Sequence, residues 1–161
     1  MKIFLDTADT ELIRKYYGTG LIDGVTTNPT LIMKSGRDPE EVYQEIEDIG
    51  LRDISMEVMG DSNEMIEEGI RLATKFPNSA TIKVPCTPDG LLACAELSMK
   101  NLIRVNVTLI FDVAQASSPS GVQGTLIVAE FGNFVASLIP SSTISFESPI
   151  TSILISLNPI S

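Results

Sequence analysis

One lysine in this sequence stands where its amine could act as a nucleophile. Lys83 lies in Thr81-Ile82-Lys83-Val84-Pro85, flanked by apolar residues of a strand-like run. Covalent catalysis through an imine needs an amine that is neutral part of the time, and lysine in water titrates near ~10.4. Burial favours the neutral form, because desolvation penalises the ammonium. The plainer use of a strand-end lysine is to lay its stem on apolar surface and keep the ammonium in water. The neighbourhood of Lys83 alone does not separate these uses. Asp6, Thr26, Glu57, Asn106 and Thr108 also stand in, or at the end of, strand-like runs. In a parallel barrel, polar residues near the C-terminal ends of strands face the active site. With Lys83 they offer an amine, two carboxylates able to move protons, and neutral hydrogen-bonding groups.

The elements that must position them alternate in type. Ile3-Phe4-Leu5 reads as a first strand, and Asp9 to Tyr17 as a helix with Asp9 at its cap and Gly18 and Gly20 as its stop. Leu21 to Thr26 reads as a second strand. Asp38-Pro39-Glu40-Glu41 has the chemistry of a helix start, after which Val42, Ile46 and Ile49 share one face. Ile54 to Val58 is a third strand, and Ser62 to Phe76 a helix with Met65, Ile66, Ile70 and Ala73 turned inward, ended by Pro77. Ala80 to Val84 is a fourth strand. Thr87-Pro88 opens a helix running through Leu91, Leu92, Ala95 and Met99, and Ile103 to Leu109 is a fifth strand. Continuous apolar strands separated by amphipathic helices indicate a parallel sheet covered by helices, an α/β fold.

The composition limits the choice of function. The 161 residues fit one domain, and 43% hydrophobic with 20% charged residues describes a globular chain. A formal net charge of −10 argues against nucleic acid and against an anionic membrane surface as partners. A small anionic substrate needs only a local basic pocket. The sequence has no histidine, which excludes Ser-His-Asp and Cys-His catalysis and argues against a zinc site. Cys86 and Cys94 have no metal or redox spacing and read as free thiols of a reducing compartment. No basic segment followed by an apolar run precedes Lys2, and no apolar run reaches membrane-spanning length, so a cytoplasmic protein is expected.

Five stretches carry a specific resemblance. They are Phe4-Leu5-Asp6-Thr7-Ala8, Asp23-Gly24-Val25-Thr26-Thr27-Asn28-Pro29-Thr30-Leu31-Ile32, Ser55-Met56-Glu57-Val58, Ile82-Lys83-Val84-Pro85 and Asn106-Val107-Thr108-Leu109-Ile110-Phe111. In this order they resemble the short transaldolases and the related fructose-6-phosphate aldolases, over residues 1 to 116. The resemblance implies a (β/α)8 barrel of the TIM type and transfer of a three-carbon dihydroxyacetone unit between sugar phosphates, as in the pentose phosphate pathway, with no cofactor and no metal. It implies that Lys83 forms the Schiff base, that Asp6 exchanges the proton of the sugar hydroxyl, and that Glu57 works through a bound water during imine formation. It implies that Thr108 positions this water and that Asn28 and Asn106 hold substrate hydroxyls. Thr26 reads as a support for Asn28. The aldolases tend to carry Gln at the place of Glu57, which favours transaldolase over simple aldolase. A homo-oligomer is expected by the same resemblance.

The resemblance stops near Ala116. Ser117-Ser118-Pro119-Ser120-Gly121 has the composition of a loop, and no Lys or Arg occurs from Val105 onward. The Ser-Pro-Phe-Val-Gly-Arg stretch and the later arginine that hold phosphate in the family have no counterpart. Residues 117–161 therefore read as an atypical Ser/Ile/Pro-rich tail, with possible strands over Gly124 to Val128 and Ile153 to Leu157. A truncated or shifted reading frame would produce such a change. The expectation is five βα units as an open half-barrel with exposed strand edges, either an active enzyme or an inactive fragment that assembles with another chain.

Overall fold

A computed structural model describes residues 2–110 in full and the backbone strands 125–131, 134–138 and 152–156. Five strands, β1 (Lys2–Asp6), β2 (Gly24–Thr26), β3 (Ile54–Glu57), β4 (Ala80–Pro85) and β5 (Val105–Ile110), pair in parallel in chain order. The helices between them are α1 (Thr10–Tyr17), α2 (Pro29–Ser35), α3 (Pro39–Ile49), α4 (Ser62–Lys75) and α5 (Pro88–Ala95), the last continued by a π-helical turn over Glu96–Lys100. These units form a curled half-barrel of the TIM type.

The half-barrel is not left open. β6 (Thr125–Phe131) pairs in parallel with β5, β7 (Phe134–Leu138) antiparallel with β6, and β8 (Ser152–Ser156) antiparallel with β7 and parallel with β1. Eight strands thus close a barrel, and the two edges expected to be free are paired. Only residues 132–133 separate β6 from β7. A connection this short permits a hairpin and forbids the crossover a parallel pair needs. That reversal is the departure from a regular (β/α)8 barrel.

The pleat sorts the side chains of the first five strands. Leu5, Val25, Ile54, Met56, Ile82, Val84, Val105 and Val107 occupy one set of alternating positions and join the hydrophobic core with Ile13, Val42, Ile46, Met65, Leu72, Phe76 and Leu97 of the helices. Asp6, Thr26, Ser55, Glu57, Lys83, Asn106 and Thr108 occupy the alternate positions. Most helix starts follow the caps read from sequence. Asp9 accepts from the Glu11 and Leu12 amides, Asp38 from those of Glu40 and Glu41, and Thr87 from that of Gly90.

Several boundaries differ from the sequence reading. β2 begins at Gly24 rather than Leu21, which is 65% exposed. Gly24 itself has no room for a side chain: a Cβ there would lie 2.3 Å from the Phe4 ring and 2.5 Å from the Asp53 carbonyl oxygen. α2 was not foreseen, although Asn28-Pro29 repeats the cap-then-proline signal of Asp38-Pro39. In α4 the inward stripe is Met65, Gly69, Leu72 and Phe76, and Ile70 is exposed. The reason is Gly69, whose absent side chain lets α4 close on Leu97 and Ile82 and turns the stripe away from Ile70. In α5 the buried residues are Gly90, Ala93 and Cys94, while Leu92 and Met99 face outward. No helix of the described residues is long and apolar enough to cross a membrane.

Candidate active site

The register of the parallel strands sets the site in two rows. Asp6 of β1 pairs with Thr26 of β2, which pairs with Ser55 of β3. Glu57 of β3 pairs with Lys83 of β4, which pairs with Asn106 of β5. Asp6, Thr26 and Glu57 end their strands and Lys83 lies past the middle of β4, while Ser55 and Asn106 stand second in theirs; all occupy the positions opposite to the helix-facing core. Residues distant in sequence become neighbours because parallel strands present equivalent positions side by side.

Lys83 does not reach for solvent. The residue is 6% exposed. Its Nζ lies 3.3 Å from Glu57 Oε2 and donates at 3.3 Å to the main-chain oxygen of Thr27. An amine held between a carboxylate and a carbonyl is largely withdrawn from water and fixed in direction. Glu57 is itself shielded, its side chain 11% exposed.

Asp6 accepts a hydrogen bond of 2.8 Å from Thr26 Oγ1, so Thr26 holds Asp6. The bond fixes one carboxylate oxygen of Asp6. Asn106 is fully buried and donates its Nδ2 to Ser55 Oγ at 3.1 Å, while its Oδ1 has no partner in the described structure. A buried acceptor without a donor is costly and is a place where a ligand hydroxyl would be welcome. Thr108 is buried two residues further along β5. Its carbonyl accepts the Cys86 amide at 2.8 Å, which ties the ends of β4 and β5. Next to it Leu109 has φ of 59°, at the register shift where β5 meets β6. A leucine in the left-handed region stores strain, and strained backbone gathers at functional sites.

Asn28 is placed differently. Its Oδ1 accepts from the Leu31 amide at 2.9 Å and caps α2. Only the Nδ2 end of this half-buried side chain is left to meet a substrate oxygen.

Two residues of the site were missed in sequence. Ser55 lies two positions before Glu57 on the same side of β3, and that spacing was the available signal. Thr27 contributes a main-chain carbonyl, which no side-chain pattern announces. Thr27 is fully buried; its N–H and its hydroxyl both donate to the Ser55 carbonyl, each at 3.1 Å. Behind it, Tyr43 of α3 packs edge-on against Phe76, ring centroids 6.1 Å apart. Burial pushes the Tyr43 phenol above the usual range; a hydrogen bond with Thr27 opposes this, and the charges of Glu57 and Glu68 add to it. Among the described residues, no group of acidic, cysteine or histidine side chains is gathered to hold a metal ion.

The geometry can now be set beside known proteins. The family model described as transaldolase/fructose-6-phosphate aldolase matches residues 3–138. A "Probable transaldolase" of Nitrosopumilus maritimus (strain SCM1) is 48% identical over 117 residues, covering 72% of this chain and 52% of its own. One of Paracoccus denitrificans (strain Pd 1222) is 52% identical over the same length, with 72% and 53% covered. One of Streptococcus agalactiae serotype V (strain ATCC BAA-611 / 2603 V/R) is 47% identical over 128 residues, with 79% and 59% covered. This chain spans about half the length of the curated relatives it matches. The shared stretch contains every candidate site residue from Asp6 to Thr108, and the match of the family model over most of the sequence shows that the chain belongs to the transaldolase/fructose-6-phosphate aldolase family.

Proposed function

We propose that the chain performs class I aldolase chemistry of the transaldolase type, with Lys83 as the Schiff-base amine. The observation that carries this reading is the burial of Lys83 Nζ between Glu57 and the Thr27 carbonyl, past the middle of a barrel strand. The nitrogen adds to the ketone carbon of a ketose; the carbonyl oxygen leaves as water, and the amine keeps one hydrogen as a protonated imine. Glu57, through a bound water, relays the protons of this step, and Thr108 holds that water. Asp6 then removes the proton of the hydroxyl two carbons from the imine carbon. The bond between the carbon bearing that hydroxyl and the carbon next to the imine carbon breaks, its electrons flow into the imine as an enamine, and an aldehyde departs. An acceptor aldehyde reverses the sequence: the enamine carbon attacks it, Asp6 returns the proton, and water frees Lys83. Asn106 Oδ1, left without a donor, receives a substrate hydroxyl, and Asn28 Nδ2 donates to a substrate oxygen.

Sugar phosphates and a homo-oligomer belong to the same proposal. A specific fact favours a second reading. The sequence has no Lys or Arg from Val105 onward, so strands β6 to β8 bring no cation to a phosphate. On that reading the chain is an inactive piece or an assembly partner of another chain. Borohydride reduction in the presence of fructose 6-phosphate, read by mass spectrometry, separates them. An adduct on Lys83 that is lost in Lys83→Ala supports the enzyme. A folded chain without adduct supports the second reading.

A further inference from the structure

The amine of Lys83 meets two acceptors of different chemistry, and the difference matters once an imine forms. The Glu57 carboxylate and the Thr27 main-chain oxygen each lie 3.3 Å from Nζ. An ammonium carries three hydrogens, whereas a protonated imine keeps one. A carboxylate can take a proton away; a peptide carbonyl cannot, and so it still needs a donor afterward. We propose that Thr27 is a positioning residue for the reaction: its carbonyl accepts the single hydrogen of the protonated imine, and its hydroxyl holds that carbonyl in place. The inference rests on Lys83 being the Schiff-base residue.

The imine N–H lies in the plane of the C=N bond. Holding it toward a fixed oxygen fixes that plane, and with it the side of the bond on which the substrate chain lies relative to Asp6. The oxygen is well fixed. Thr27 is fully buried, and its N–H and Oγ1 converge on the Ser55 carbonyl. Ser55 in turn holds Asn106 through its hydroxyl. Thr27 also shares a hydrogen bond with Tyr43 of α3. A carbonyl dipole aimed at a developing cation in a site with little water favours the iminium without reorganising.

The test uses the full chain and dihydroxyacetone as the ketone probe, with borohydride trapping followed by mass spectrometry. Thr27→Val removes the hydroxyl tie but leaves the Ser55 carbonyl its bond from the residue 27 amide. Small misplacement of a reacting group costs up to about a hundredfold, so the maximal trapping rate at Lys83 should fall on the order of tenfold. The half-saturating dihydroxyacetone concentration should stay within about twofold, since the lost tie touches the amine and not the sugar. Thr27→Ser, which keeps the hydroxyl, should restore the rate to within about twofold of the parent chain. If Thr27→Val fails to fold by circular dichroism, Thr27→Ala is compared with Thr27→Ser by the same criterion. Equal maximal rates for a folded hydroxyl-free variant and the parent chain overturn the role of Thr27 and leave the Schiff-base reading intact. Absence of any Lys83 adduct in the parent chain overturns both.

Discussion

Exchanging Glu57 for glutamine takes the counter-charge from a lysine that is 6% exposed. At the observed 3.3 Å, and with an effective dielectric of ~20, the pair attracts by about 5 kcal/mol before desolvation of both ions is subtracted. Removing one partner of a buried pair costs about 3–5 kcal/mol in general. The Thr27 carbonyl remains as an acceptor, and the side chains keep 8% and 11% exposure, so Glu57→Gln should cost about 2–3 kcal/mol. Lys83→Met should cost less, about 1–2 kcal/mol, because the Glu57 side chain keeps more exposure than that of Lys83 and can turn toward water. The double variant removes both ions and should lie within about 1 kcal/mol of the parent, since replacing a whole buried pair is often neutral. The coupling in this cycle is then about 2–5 kcal/mol. Urea unfolding followed by circular dichroism at neutral pH measures all four proteins. A coupling below about 0.5 kcal/mol would refute the view that the two groups share one desolvated site.

Tyr43 predicts an alkaline limit. Its folded-state value is raised by burial, so the contribution is complete below the ordinary phenol value and lost as pH rises through the folded one. Tyr43→Phe should flatten stability against pH in that window, and an unchanged slope in denaturant titrations would count against the burial. Gly90→Ala should destabilise the chain by at least ~1–3 kcal/mol, because its Cβ would stand 1.9 Å from the Pro85 carbonyl oxygen, where α5 starts against the end of β4. A melting temperature within about 1 °C of the parent, roughly half the shift expected for ~1 kcal/mol in a chain of this size, would contradict that contact. Because no Lys or Arg follows Arg104, trapping of Lys83 should discriminate little between fructose 6-phosphate and fructose, within about tenfold, the worth of one weak charge contact. A preference of a thousandfold for the phosphate would reveal a cationic pocket elsewhere.

The polar strand ends were legible because the strands are parallel and short. A polar residue breaking an apolar run at one place in five strands has to land on one side of one barrel. Caps such as Asp9 and Asp38 were equally legible, since the acceptor and the amides it meets are within three residues. What escaped notice depends on contacts distant in sequence. Ile70 has the right spacing for α4's buried face, yet Gly69 wins that face by letting the helix approach β4 and the π-turn. Thr26 pairs with Asp6 across β1 and β2, a choice set by register rather than by its neighbour Asn28. The Thr27 carbonyl is main chain and leaves no trace in residue type. Closure of the barrel by β6, β7 and β8 was hidden because β7 runs antiparallel to both neighbours and follows β6 with no room for a helix, against the alternation that identified the others.

The reversed direction of β7 has a practical outcome for anyone wishing to re-engineer this protein. β6 rises toward the end of the barrel that carries Lys83 and β7 descends from it, with only two residues of sequence between them. β7 ends and β8 begins at the pole opposite Lys83. A regular barrel would spend a separate rim loop on each of these strands. Here, foreign sequence grafted between β7 and β8, such as a fluorescent module or an affinity handle, would enter at the far pole, whereas diversity meant for the pole that carries Lys83 has to be introduced after β1 to β5.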